Sequence, residues 1–383
     1  MRNRRSLGAV LLTLVAMATG CGPGGGSSGA SPGAEGTRGS GSAAPAPSGA
    51  PSTAGASGLA TPSAGASLAA THFQNPVIDR NFADPFVLRV DDTYYAFATG
   101  DLTYNIQVST SDDLVTWTPR REALRNLPIW QPSAKGLTWA PEVVETSAGF
   151  VMHYTARDVQ AGRQCLAVAV AEAPEGPYVD TSDAPLACQY DLGGSIDSSP
   201  FQDADGKRYL LWKSDGNCCA IPVRFFIADL SDDGLNLTSD PRQLEGLVVD
   251  QGWERTLIEA PTLLLHDDTY YMFFSANDYN SRDYAVGYAT SDSVEGPYKD
   301  ADENPIVATE VPFGSPPGDP AGPGHQSIVA DDEGELWLVY HAWDSGLIGD
   351  RIGGRRAMWI DELVFEDGRP VVKGPDAEPQ ERP

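Results

Sequence analysis

Helical periodicity is nearly absent from this chain. No long stretch repeats apolar residues every three or four positions, which argues against a helix bundle or a coiled coil. Basic residues are also scarce: 26 Lys and Arg stand against 53 Asp and Glu, for a net charge of −27. Such an acidic excess disfavours nucleic acid and anionic membrane surfaces as partners and leaves neutral or cationic ligands. The five cysteines include no CxxC pair and no His/Cys spacing of the kind that holds zinc. The apolar run Leu7 to Ala18 is too short to span a bilayer as a stable helix. From Gly22 to about Ala70 there is no aromatic residue and almost no apolar residue larger than Ala. That stretch cannot bury a core and reads as a disordered spacer.

The N-terminus carries a targeting pattern. Arg2, Arg4 and Arg5 precede the apolar run, and Ala18-Thr19-Gly20-Cys21 follows it, which resembles a bacterial lipoprotein cleavage box. The expectation is a signal peptide over 1–20, lipidation at Cys21, a Gly/Ser/Ala/Pro linker over 21–71 and a folded domain over 72–383. The protein would be exported and held at the outer face of a membrane through the lipid alone.

The folded part is built on a repeat. Ala83-Asp84-Pro85-Phe86-Val87 returns, varied, as Ala140-Pro141-Glu142-Val143-Val144, Asp197-Ser198-Ser199-Pro200-Phe201, Glu259-Ala260-Pro261-Thr262-Leu263 and His325-Gln326-Ser327-Ile328-Val329. Each copy is followed by an acidic turn and an aromatic strand, and the period is near 60 residues. Short strands recurring at that spacing predict a toroid of sheets, an all-β five-bladed propeller. Aromatic strands are expected at Tyr94 to Thr99, Val151 to Ala156, Tyr209 to Lys213, Tyr270 to Ser275 and Leu336 to His341, with their Tyr and Trp side chains filling the space between blades. Outer strands follow, and two blades close on the same phrase, Glu175-Gly176-Pro177-Tyr178 and Glu295-Gly296-Pro297-Tyr298. Cys165 and Cys188 flank one outer hairpin and are the favoured disulfide in an exported chain. Cys218 and Cys219 are then either a vicinal bridge or two free thiols, in a stretch, Asp215 to Cys219, expected at a pocket rim.

A ring brings equivalent positions of different blades to one axis. Asp84, Asp197 and Glu259 fall at or beside the start of the innermost strand in blades 1, 3 and 4, so three carboxyl groups are expected in one pocket. Glu142, taken as the blade 2 counterpart, is not assigned a catalytic part. Two carboxyl groups facing one ligand suit glycoside hydrolysis with inversion, in which one deprotonates water and the other protonates the leaving oxygen.

The motifs Asn81-Phe82-Ala83-Asp84-Pro85-Phe86, Trp139-Ala140-Pro141-Glu142, Ser195 to Phe201, Ile258-Glu259-Ala260-Pro261 and Gly322-Pro323-Gly324-His325 resemble glycoside hydrolase family 43 over about residues 72 to 375. The resemblance implies a propeller enzyme acting on arabinose- or xylose-containing polysaccharide of hemicellulose or pectin. An α-L-arabinofuranosidase or arabinanase comes first, a β-xylosidase next, and a catalytically silent sugar-binding propeller is the reading of another class. It implies Asp84 as general base, Glu259 as general acid and Asp197 as the carboxylate that orients the sugar and raises the pKa of the acid. The apolar neighbours of Glu259 in sequence, Ile258 and Ala260-Pro261, predict a raised pKa as well. Arg356 resembles the family's substrate-gripping arginine, with Arg355 and Arg351 as alternatives, and Trp139 is a candidate stacking surface. His325 is expected near the axis, where it would tune the acid or contact a structural Ca2+ or another ion; no cofactor is required for the reaction. A monomer is expected.

Overall fold

The computed structural model describes residues 71–315 and 317–383, so the signal sequence, Cys21 and the linker lie outside the described residues. The described chain is all-β, and its five principal sheets follow one another in sequence as the blades of a propeller. Blade 1 is Phe86–Val90, Thr93–Ala98, Gln107–Ser111 and Thr118–Pro119; blade 2 is Thr138–Thr146, Gly149–Asp158 and Arg163–Ala171. Blade 3 is Ser195–Gln202, Arg208–Ser214, Phe225–Leu230 and Arg242–Gln243; blade 4 is Ile258–His266, Thr269–Ala276, Ala285–Ser291 and Lys299–Asp300. Blade 5 is Pro320–Ala330, Leu336–Asp344, Arg356–Glu366 and Arg369–Val372. All strand pairs within a blade are antiparallel, as short connecting turns require.

The ring holds because each blade buries its faces against its neighbours. Phe97 and Val108 of blade 1 meet Met152 and Tyr154 of blade 2. Leu166 of blade 2 meets Leu210 and Trp212 of blade 3, and Leu211 and Phe225 of blade 3 meet Met272 and Phe274 of blade 4. Phe273 and Tyr288 then meet Tyr340 and Trp359, and Val339 and Met358 meet Val87 and Tyr94, which closes the circle. Each such side chain contributes about 1.5–3 kcal/mol by leaving water. The ends are fastened separately: His72–Phe73 pairs with Gln380–Glu381, and the Asn75 amide both donates to and accepts from the backbone of Ile360 in blade 5. Cys165, on the third strand of blade 2, is bonded to Cys188, and Cys218 is bonded to its neighbour Cys219.

The start of each innermost strand carries one residue with left-handed backbone: Asp84 (φ 55°), Ala140 (φ 42°), Asp197 (φ 56°), Ala260 (φ 56°) and His325 (φ 53°). This conformation costs an L-residue roughly 1–2 kcal/mol, more readily tolerated by Asp than by Ala. In blades 2 to 5 it accompanies a slip in strand register, the mark of a bulge that bends the strand start toward the axis. The structural repeat therefore corrects the alignment read from sequence. The counterpart of Asp84 in blade 2 is Ala140, not Glu142, and in blade 4 it is Ala260, with Glu259 one residue earlier.

Candidate active site

The five left-handed residues ring the axis. With Pro85, Pro141, Glu142, Ser198, Pro261 and Gln326 they enclose a throat with only about 10 Å3 of free space. Above it opens a cavity of about 640 Å3, lined among others by Asp84, Trp139, Asp197, Glu259, His325 and Arg356. The structure thus brings together every side chain that the sequence nominated for the site. Arg355 instead pairs with Asp79 on the surface and Arg351 is exposed, so the arginine of the cavity is Arg356.

Asp84 is the most heavily held of the carboxylates. Arg356 Nη1 donates to its Oδ1 at 2.9 Å, Thr99 Oγ1 donates to Oδ2, and His325 Nδ1 lies 3.4 Å from Oδ1. Its backbone amide donates to His341 Nδ1 at 3.1 Å. Burial alone would raise its pKa; Arg356, His325 and His341 overcome that and hold it well below the usual carboxylate range. Burial pushes His341 down to about 4, so this ring is neutral. Asp84 is accordingly an anion, desolvated and aimed into a cavity, which is the state a general base requires.

Glu259 departs from expectation. The apolar neighbours in its sequence do not set its surroundings. Lys213 Nζ, fully enclosed, lies 3.0 Å from Oε2, and the buried Tyr284 hydroxyl donates to Oε1 at 2.7 Å. Burial raises the pKa of Glu259, but Lys213, His325 and Tyr284 outweigh it, and the net direction is down, not up. Asp197 is the partner that is raised, to about 6, by burial and by the charges of Glu259 and Asp84 against His325 and Lys213. Its Oδ2 accepts the Ala260 amide at 3.1 Å, beside Glu259. The two carboxyls influence each other, and of the pair Asp197 is the one that takes up a proton more readily.

Sequence reasoning missed Lys213, Tyr284 and His341, which set the charge states; the stretch Asp215 to Cys219 does border the cavity as expected, and in it Asp215 is a further carboxylate that burial raises to about 6. A signal for Lys213 was present: a single cation ending the apolar strand Tyr209-Leu210-Leu211-Trp212. Tyr284 and His341 stand among many strand aromatics and carry no such mark. Asn217 links Lys213 to the rim, accepting from Nζ at 3.0 Å, and lies with Cys218 on the cavity wall. Glu142, enclosed in the throat, is pushed up to about 8 by burial, though Ser199 donates to it at 2.9 Å. His325, whose Nδ1 faces Asp84, borders both the throat and the cavity, so an ion on the axis would meet this imidazole beside the Asp84 and Asp197 carboxylates.

Three carboxyls, Asp84 held anionic and Asp197 raised beside Glu259, around a cavity closed at its base can place an acid and a base on one ligand. The family model of glycosyl hydrolases family 43 matches residues 73–370. The chain belongs to that family. It is a glycosidase, hydrolysing O-glycosyl bonds with inversion. Among its relatives, the β-D-galactofuranosidase of Aspergillus niger is 26% identical over 78% of this chain and 84% of that protein. The β-xylosidase of Bacillus subtilis is 29% identical over 78% of this chain, which spans 56% of that longer protein. A crystal structure of a thermostable family-43 glycoside hydrolase is 31% identical, with a TM-score of 0.69 over 80% of this chain and 98% of that one.

Proposed function

We propose that the protein removes α-L-arabinofuranosyl units from hemicellulose or pectin oligosaccharides, with Asp84 as general base and Glu259 as general acid. The observation that carries this is the convergence of Asp84, held ionised by Arg356, with the carboxyls of Asp197 and Glu259 on a single cavity. Water held by Asp84 attacks the anomeric carbon and gives its proton to that carboxylate. Glu259 gives a proton to the departing oxygen, so one water is consumed and the configuration inverts. Asp197, beside Glu259, accepts from a sugar hydroxyl and by its charge helps the acid keep its proton. Trp139 offers an aromatic face to the ring, and Arg356 both keeps Asp84 charged and borders the sugar.

A second groove, of about 1010 Å3, shares Asn217, Glu259 and Tyr279 with the central cavity and runs on past Pro222 and Arg224. Glu259 borders both spaces. The reading follows that the glycon fills the central cavity and the leaving group lies in this groove, next to its proton donor. The A. niger relative supports a five-membered ring in the cavity, because β-D-galactofuranose and α-L-arabinofuranose carry the same ring configuration. The B. subtilis relative supports the second reading, a β-D-xylosidase. Export and attachment through Cys21 complete the proposal; no helix among the described residues is long and apolar enough to cross a membrane.

Incubation with an aryl α-L-arabinofuranoside, an aryl β-D-xyloside and linear arabinan decides between these readings. Release from the arabinofuranoside at least about tenfold faster in kcat/KM than from the xyloside is expected, a difference of roughly 1.4 kcal/mol in the barrier. The reverse preference establishes the xylosidase, and no turnover of any of the three, with tight sugar binding, establishes a silent lectin-like propeller.

A further inference from the structure

On the approach to blade 4, away from the axis, three carboxylates converge with no cation among them. Asp250 and Glu254 lie in the turns that lead into the inner strand Ile258–His266, and Asp300 ends the outermost strand of the same blade. One ligand oxygen from each lies within 4.8 Å of the other two. Oxygens that close together can reach one ion, since opposed ligands of Ca2+, at bonds of 2.3–2.6 Å, stand about 5 Å apart.

An acidic cluster on a surface is common, but this one contains an orphan. Glu254 is 0% exposed, and its two oxygens are used unequally. Oε2 accepts the backbone amides of Asp250 at 2.8 Å and Gln251 at 2.9 Å, which fixes the carboxylate in place. Oε1 is buried and has no hydrogen-bond partner, and neither has the buried Oδ1 of Asp300. A buried carboxylate oxygen left bare costs about 1–3 kcal/mol or more, and here two stand in one cluster. The nearest arginine in sequence, Arg255, is engaged elsewhere, with Asp283 at 2.9 Å.

We propose that Asp250, Glu254 and Asp300 bind one Ca2+ ion. All donors are hard oxygens, as Ca2+ requires. The exposed Asp250 leaves the remaining coordination positions open to water. The ion joins the turn segment 250–257 to the outer edge of blade 4. Leu257 of that segment accepts the Asn277 amide at 3.1 Å, and Asn277 Nδ2 donates to the Trp253 carbonyl at 2.7 Å. The bound ion therefore braces the entry to the strand that carries Glu259, without touching the cavity.

The test is calorimetric titration of the full chain with CaCl2 after EDTA treatment and dialysis, alongside its thermal unfolding. One Ca2+ per chain is expected, and a rise in Tm of about 3 °C or more at about 1 mM Ca2+, with Mg2+ giving less. Glu254→Gln and Asp300→Asn should each abolish the binding heat and the shift. Asp250→Asn, a change at an exposed residue that the fold tolerates, should weaken binding at least about tenfold. Absence of heat and shift in the unaltered chain at pH 7.5 overturns the proposal and leaves a carboxyl–carboxylate pair sharing a proton. Binding that is undiminished in all three variants overturns it too, by placing the ion elsewhere.

Discussion

Lys213→Met is the change that best tests how the acid is controlled. Lys213 Nζ stands 3.0 Å from Glu259 Oε2, and neither group reaches water freely. At the effective dielectric of about 20 that describes such sites, charges at that distance attract by roughly 5 kcal/mol. Removing one partner of a buried pair costs about 3–5 kcal/mol, because the other is left as an uncompensated charge. The loss depends on pH in a definite sense. With Lys213 present, the folded-state pKa of Glu259 lies below its unfolded value. Its ionisation then supports the fold above the unfolded pKa, and that support fades only as pH falls through the lower folded value. With Met at 213, burial raises the folded pKa instead. The carboxyl then sits neutral at low pH without penalty and destabilises the fold once pH exceeds its unfolded value. Denaturant unfolding should thus show the variant about 3–5 kcal/mol less stable at pH 8, with the difference shrinking as pH falls and closing only below the ordinary carboxylate range, where Glu259 beside Lys213 also takes up its proton. The same change lets Glu259 keep its proton longer, so the alkaline limb of kcat/KM should move to higher pH. A stability difference that is flat with pH, or grows toward acid, together with an unmoved alkaline limb, would refute the pairing.

Glu259→Gln should abolish turnover of natural oligosaccharides while largely keeping their binding, read by product release and calorimetry; near-normal turnover excludes Glu259 as the acid. In Asp197→Asn the group at about 6 is gone and Glu259 remains beside Lys213, so the alkaline limb should shift to lower pH with a loss in kcat, whereas a change in KM alone makes Asp197 a binding residue only. Arg356→Gln removes the largest stabilising charge on Asp84, whose pKa then rises; the acidic limb of the pH profile should move upward, and a stationary limb would show that His325 and His341 suffice. Cys188→Ala opens a loop closed across 23 residues of sequence and should lower stability by about 3 kcal/mol in denaturant, without altering the pH profile.

The chain alone determined the architecture. A repeat near 60 residues, with an acidic turn before each aromatic strand, has few solutions other than a ring of sheets, because one such unit cannot bury its own faces. The same repeat put Asp84, Asp197 and Glu259 near one axis, since cyclic order turns equivalent positions into neighbours. His325 falls at the same repeat position, whereas Trp139 and Arg356 were legible through the family resemblance of their motifs. Charge state was not legible. Ile258 and Ala260 flank Glu259 in sequence, but alternate residues of a strand face opposite ways, and the side chains that meet the carboxyl come from Lys213 in blade 3 and Tyr284 beside blade 4. Only the folded ring decided that Glu259 is paired to a cation while Asp197 is the carboxyl whose pKa is raised. The ring also moved the blade 2 position two residues back, from Glu142 to Ala140, where the left-handed backbone and the bulge of that strand fall. The Asp250, Glu254 and Asp300 cluster is likewise tertiary in origin: Asp300 lies far along the chain from the other two, and the pairing of blade 4's outer strand, not any motif, brings it to them.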